Sequence, residues 1–245
     1  MDVHGSPGVN QQLQKDIRVG NMYSTPMFYS PYGPEIALAE TRLSGEPHAL
    51  LPEEAALLPS SASPLRRVEF SIGRAAAHSA LAQLGVSPSA AVLRVPESRA
   101  PLWPGGFIGS ITHKSERAYA LAADSTHARG LGIDLEMVND RHIDISKRIA
   151  TAEEITWIEQ SPKLKSLRML LLFSAKESFY KAVSPLLTDH IGFHDVTLLP
   201  RDESSFRAHV SQRFLGQLPS AEEITIHYAI DQGYILSMCR VLPLD

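Results

Sequence analysis

Residues 130–136 read Gly-Leu-Gly-Ile-Asp-Leu-Glu, and residues 173–181 read Phe-Ser-Ala-Lys-Glu-Ser-Phe-Tyr-Lys. In the first stretch Leu131, Ile133 and Leu135 alternate with the other side chains, which predicts a strand with one buried face. Asp134 and Glu136 then share the opposite face. In the second, Glu177 and Lys181 stand four apart, the spacing that puts an acid and a base on one side of a helix. Each pattern alone has a plain reading, a solvated strand face or a surface ion pair. Leu170, Leu171, Leu172, Phe173 and Phe179 make the helix mostly buried, so a solvated pair suits it poorly and Glu177 becomes a third carboxylate beside the first two. Carboxylates held together repel unless solvated, protonated or bridged by a cation, and oxygen-only ligands suit hard Mg2+ or Mn2+.

Outward from these stretches the chain alternates helix and strand signals. A strand is expected over 35–43 and a short helix opening at Pro52-Glu53-Glu54, with interruptions at Pro59 and Pro64. A long helix follows over 66–84, with Phe70, Ala77, Leu81 and Leu84 on one face and Gly85 as its stop. Residues 92–138 read as several strands broken by Pro101, Pro104, Gly105-Gly106 and Gly130. Ile145, Ile149, Ile155 and Ile158 restore a helical register, then a helix is expected over 163–183, stopped at Pro185. Strands at 196–199 and 206–210 precede a hairpin over 224–241 turned at Asp231-Gln232-Gly233. This is an α+β chain of two similar α/β lobes: a mobile segment 1–30, an N-terminal lobe 31–127 and a C-terminal lobe 128–245 joined near Ala128.

With 44% hydrophobic and 20% charged residues among 245, the chain can bury a real core. The single Cys239 excludes an internal disulfide and a multi-thiolate metal site, and it sits in an apolar run as a small hydrophobe. That suits a reducing cytoplasm. No basic start with an apolar h-region and no membrane-spanning apolar run is present, so neither secretion nor a membrane is expected. A net charge of -4 and a pI of 6.2 argue against nucleic acid as partner.

Both opening stretches resemble the paired motifs of 4'-phosphopantetheinyl transferases of the surfactin and enterobactin type. Gly-Ser-Ile-Thr-His at 109–113, Arg-Ala-Pro-Leu-Trp-Pro at 99–104 and Arg-Arg-Val-Glu-Phe-Ser-Ile-Gly-Arg-Ala-Ala at 66–76 are similar to three further motifs, the second leaning towards the enterobactin branch. The resemblance implies a monomeric pseudo-dimer with coenzyme A in the cleft between lobes. It implies Mg2+-dependent transfer of the phosphopantetheine arm of coenzyme A to a serine of an apo acyl or peptidyl carrier protein. Adenosine 3',5'-bisphosphate is released, in the service of peptide, siderophore or polyketide assembly.

By the same resemblance Asp134, Glu136 and Glu177 hold the metal, and Glu177 or a water takes the serine proton. Lys181 faces the leaving phosphate as a cationic acid. His113, with Ser110 or Thr112 beside it, meets a coenzyme A phosphate, and Arg99 grips the 3'-phosphate. Because Arg66, Arg67 and Arg74 cannot share one helix face, Arg67 and Arg74 are preferred as coenzyme A contacts. Lys176 is expected to point to solvent or the adenine. Trp103 shapes the cleft or packs in the core, and Trp157 is core or a carrier-docking aromatic. Lys163, Lys165 and Arg168 form a basic cluster suited to an acidic carrier, or simply a solvated face. A metal-dependent phosphohydrolase acting on coenzyme A, or a binding module without catalysis, are the alternatives. No P-loop, Gly-x-Ser-x-Gly or His-Glu-x-x-His motif is present.

Overall fold

Two lobes are built on one plan in the computed structural model, which describes residues 28–43, 46–96, 100–138, 145–214, 216–218 and 224–243. The first contains β1 (Ile36–Arg42), α1 (Pro52–Ala55), the long α2 (Pro64–Gln83), two short strands β2 (Leu93–Arg94) and β3 (Pro101–Leu102), and the hairpin β4 (Phe107–Lys114) and β5 (Arg117–Asp124). The second contains β6 (Gly130–Met137), α3 (Ser146–Ile149), α4 (Ala152–Glu159), the long α5 (Lys165–Val183), β7 (Val196–Asp202), β8 (Ser205–Val210), β9 (Thr225–Asp231) and β10 (Tyr234–Val241). The main sheets run β1-β5-β4 and β6-β10-β9-β8-β7. In each, the lobe's first strand pairs antiparallel with its last, and the long helix covers the sheet. The expected α+β fold of two similar lobes is therefore present.

Pro64 starts α2 rather than interrupting it, because proline is preorganised for the first helical position and Ser63 accepts a bond from the Arg66 amide at 3.2 Å. Ile72, Ala76, Ala77, Ala80 and Leu81 form the buried stripe, and Gly85, at φ 78°, follows the end. Helix α5 begins at Lys165 because Pro162–Leu164 winds as a 3-10 turn.

One glutamate fastens each long helix to the short helix before it. Glu54 accepts from the amides of Leu51 and Val92, at 3.3 and 2.9 Å, and pairs with His78 of α2 at 2.8 Å. Glu154 accepts from the amides of Thr151 and Leu198, at 2.7 and 2.6 Å, and pairs with Lys176 of α5 at 2.8 Å. Lys176 is fully buried and also donates to the carbonyls of Ile149, Phe193 and Val196. It reaches neither solvent nor a ligand surface, contrary to the expectation for it, because its ammonium is saturated inside the second lobe.

The proposed basic docking cluster loses Arg168, while Lys163 and Lys165 remain exposed. Arg168 is buried, lies over the Trp157 ring and donates to the Trp157 carbonyl at 2.6 Å, while Lys165 stands 3.7 Å from Glu159. Trp157 itself packs edge-on against Phe206 and belongs to the core. Between the lobes, Leu131, Ile133 and Leu135 pack with Ile36, Tyr119, Leu121, Leu236 and Met238. Phe28 packs on Tyr119, so the end of the segment expected to be mobile is held, and residues 1–27 lie outside the described residues. Among the described residues no helix is long and apolar enough to cross a membrane.

Candidate active site

Strand β6 ends its sheet at the lobe boundary, and side chains of β4 satisfy its outer edge. The Ile133 amide donates to Ser110 Oγ at 3.2 Å and the Leu135 amide to Thr112 Oγ1 at 3.0 Å. Lys114, the next residue on that face of β4, reaches Glu136 at 2.5 Å. An edge strand with unpaired amides is costly when buried, and the two hydroxyls replace the missing ladder. Ser110 and Thr112, expected beside a phosphate, are only 4% and 5% exposed and work in this seam.

Gly130, Gly132, Asp134 and Glu136 share the other face of β6, under α5. A Cβ on Gly132 would overlap the Ser178 carbonyl oxygen, and one on Gly130 the Ala182 carbonyl oxygen. The two glycines therefore let the helix lie directly on the strand. Residues 130–135 are consequently buried on both faces, where the alternation predicted one. That contact sets Ser174 Oγ 3.4 Å from the Asp134 carbonyl, and Lys181 Nζ 2.8 Å from Asp134 Oδ1 and 2.9 Å from the Ile133 carbonyl.

Glu177 lies one turn before Lys181. Burial, then the Asp134 charge, hold its carboxyl above the usual glutamate range, opposed by Lys181. Burial likewise raises Glu136, opposed by the hydrogen bond from Lys114 and reinforced by Asp134. Asp134 is 6% exposed, and its Oδ2 is buried with no hydrogen-bond partner. Among the described residues no three carboxylate, imidazole or thiol side chains close into a metal cage. Three mutually repelling acids and an orphaned carboxylate oxygen nevertheless fit a hard divalent cation, which commonly takes one or two carboxylates and completes its shell with phosphate and water.

Next to this site is a cleft of about 670 Å3 between the start of α2, residues 57–62 and the end of β4. Arg66, Arg74, Arg94, Glu69, Phe70 and His113 line it. Both Arg66 and Arg74 lie against the Phe70 ring, at 5.8 and 4.4 Å from its centroid. Arg74 donates to the Leu93 carbonyl, its Nε is buried without a partner, and burial with the Arg66 charge lowers its pKa to about 10, partly offset by Glu54. Arg67 turns away, donating to the carbonyls of Pro59, Ser60 and Ala62. The preference for Arg67 over Arg66 is thus reversed: Arg67 braces the wall and Arg66 faces the cleft. Arg94, on a two-residue strand, carried no sequence signal. Arg99 lies outside the described residues. Trp103 packs against the core beneath α2.

His113 ends the cleft. Burial lowers its pKa, Glu69 opposes this, and the charges of Arg66, Lys181 and Lys114 add to it. The imidazole therefore joins the cationic cleft to the carboxylate site.

Two family models match the chain: the 4'-phosphopantetheinyl transferase N-terminal domain over residues 53–123 and the 4'-phosphopantetheinyl transferase superfamily over residues 130–239. The 4'-phosphopantetheinyl transferase PptT of Mycobacterium tuberculosis is 31% identical over 208 residues, 82% of this chain and 90% of that protein. Enterobactin synthase component D of Salmonella typhi is 35% identical over 130 residues, 52% of this chain and 53% of its own length, so the chain spans about half of that relative. Svp of Streptomyces mobaraensis, also named a 4'-phosphopantetheinyl transferase, is 35% identical over 165 residues, 65% of each chain. Among solved structures, the holo-ACP-synthase of Plasmodium yoelii aligns with 49% of this chain and 98% of its own, at TM-score 0.39 and 16% identity.

Proposed function

Because the chain belongs to the 4'-phosphopantetheinyl transferase superfamily, we propose that it transfers the phosphopantetheine arm of coenzyme A to a serine of an apo acyl or peptidyl carrier protein. The observation that carries this reading is the junction at His113, where a cleft lined by three arginines meets three coupled carboxylates and Lys181. The cleft's volume suits the adenosine bisphosphate half of coenzyme A, and its cations suit phosphates.

Arg66, Arg74, Arg94 and His113 bind and orient the nucleotide phosphates. Glu177, desolvated and held above its usual range, accepts the serine proton directly or through a water. The serine oxygen bonds to the phosphorus of the pantetheine phosphate as the bond to the bridging pyrophosphate oxygen breaks. Adenosine 3',5'-bisphosphate leaves, and Lys181 neutralises the charge that develops on it. Asp134, Glu136 and Glu177 would hold Mg2+, or Mn2+, which when bound supplies Lewis-acid neutralisation of the pyrophosphate. The lobe seam that a dimer of single lobes would have to supply lies within one chain, which supports a monomer. Enterobactin synthase component D among the relatives supports a carrier of siderophore assembly as the substrate.

The test is to incubate the full chain with coenzyme A, Mg2+ and an apo peptidyl or apo acyl carrier, with and without EDTA, and to weigh the carrier. A metal-dependent gain of one phosphopantetheine arm is expected. Coenzyme A cleaved with neither carrier modified would replace the transferase reading with hydrolysis.

A further inference from the structure

Lys114 has no place in the assignments above, yet it meets one of the three carboxylates from the opposite lobe. Its backbone is fixed: it closes β4 in a hairpin whose loop is Ser115-Glu116, with Ser115 at φ 55°, and the Glu116 carbonyl accepts from Leu43 at 2.8 Å. Its side chain is less constrained. Lys181 shares its ammonium between Asp134 and the Ile133 carbonyl, whereas the described bond of Lys114 is to Glu136 alone, and its side chain is 39% exposed. Of the two ammonium groups that neutralise this acidic site, both part-exposed, Lys114 is the one held by the fewer described bonds.

We propose that Lys114 is an internal counter-ion: its ammonium occupies Glu136 in the metal-free protein and transfers to a substrate phosphate when a divalent cation takes Glu136. Lys114 holds one oxygen of Glu136, and a dication seated on the same carboxylate repels the ammonium across it and weakens that bond, which favours its release. The neighbouring anion site is the cleft that ends at His113; that imidazole projects from the opposite face of β4 at the strand's end and is close enough to feel the Lys114 charge. Lys114 thus couples metal binding to phosphate binding and acts as a positioning residue. This inference rests on the metal reading of Asp134, Glu136 and Glu177.

The experiment measures Mn2+ binding to the full chain by electron paramagnetic resonance, without and with coenzyme A, and the binding of adenosine 3',5'-bisphosphate by calorimetry in Mg2+. Lys114→Met is expected to bind Mn2+ alone about fivefold more tightly, the scale set by losing one part-exposed competing ion pair, and to bind the nucleotide more weakly. Lys114→Arg, which keeps the charge, is expected to stay near the parent in both. Should Lys114→Met not fold, Lys114→Gln serves with the same expected readouts. Unchanged or weaker Mn2+ binding in the uncharged variant, with binding abolished by Asp134→Ala, would overturn the counter-ion while leaving the metal site intact. No Mn2+ binding by any form, with or without coenzyme A, would remove both.

Discussion

Glu177 and the arginines of α2 show how little of a residue's role follows from its type. The Glu177 carboxyl, raised above its ordinary 4.5 by burial and by Asp134, binds its proton more tightly in the folded protein than in the unfolded chain. Its contribution to stability is therefore fully present below the unfolded value and is lost as pH rises through the folded one. Glu177→Gln should abolish transfer, yet raise the Tm of the metal-free protein by roughly 2–4 °C at pH 7.5 and not at pH 4. Thermal melts in EDTA at the two pH values, beside the carrier assay, check both. An equal shift at the two values would mean that charge is not the cause. Lys181→Ala should lower kcat more than it weakens coenzyme A binding, and should cost about 1–3 kcal/mol because the buried Asp134 loses its counter-ion. In the cleft, Arg66→Ala and Arg74→Ala should each raise the KM for coenzyme A about tenfold, from loss of a charged contact. Arg67→Ala should leave that KM alone and lower only the Tm, since its guanidinium holds carbonyls of the wall.

At the scale of elements, the site depends on how closely α5 lies on β6. Gly132 is where strand and helix backbones meet, so Gly132→Ala forces them apart, costing at least about 3 kcal/mol, the upper end for overpacking. Since Glu177 rides on the same helix, turnover should fall with stability, and calorimetry with carrier modification reads both. A loss of activity without a fall in Tm would show that the helix had not moved. The alternation of Leu131, Ile133 and Leu135 exposed the strand in advance, and the spacing of Glu177 and Lys181 exposed the helix face. The docking of one element on the other was not legible. Two glycines in a strand read equally as boundaries and as a contact until the carbonyls above them are placed.

Across the whole molecule, the lobes repeat a device that no repeat in the sequence announced. Glu54 and Glu154 each stand third in a short helix, hold that helix's leading amide, bind an amide at or beside a later strand (Val92, just before β2, and Leu198 in β7) and pair with a base on the long helix. In the sequence the two positions share a Glu-Glu pair, at 53–54 and 153–154. Glu154→Gln should destabilise by about 3–5 kcal/mol, because it strands the fully buried Lys176 ammonium. Glu54→Gln should cost less, about 1–3 kcal/mol, since the His78 side chain, unlike that of Lys176, is partly exposed to water. Chemical denaturation of both variants tests the order. The sequence by itself determined the elements, the two-lobe plan and the motifs that mark the family, because periodicity and capping are settled by near neighbours in the chain. Only the tertiary structure decided that Ser110 and Thr112 close the lobe seam, that Lys176 is buried, that Arg66 rather than Arg67 faces the cleft, and that Lys114 meets Glu136. Each of these depends on which surface a distant segment covers, and local spacing holds no information about that.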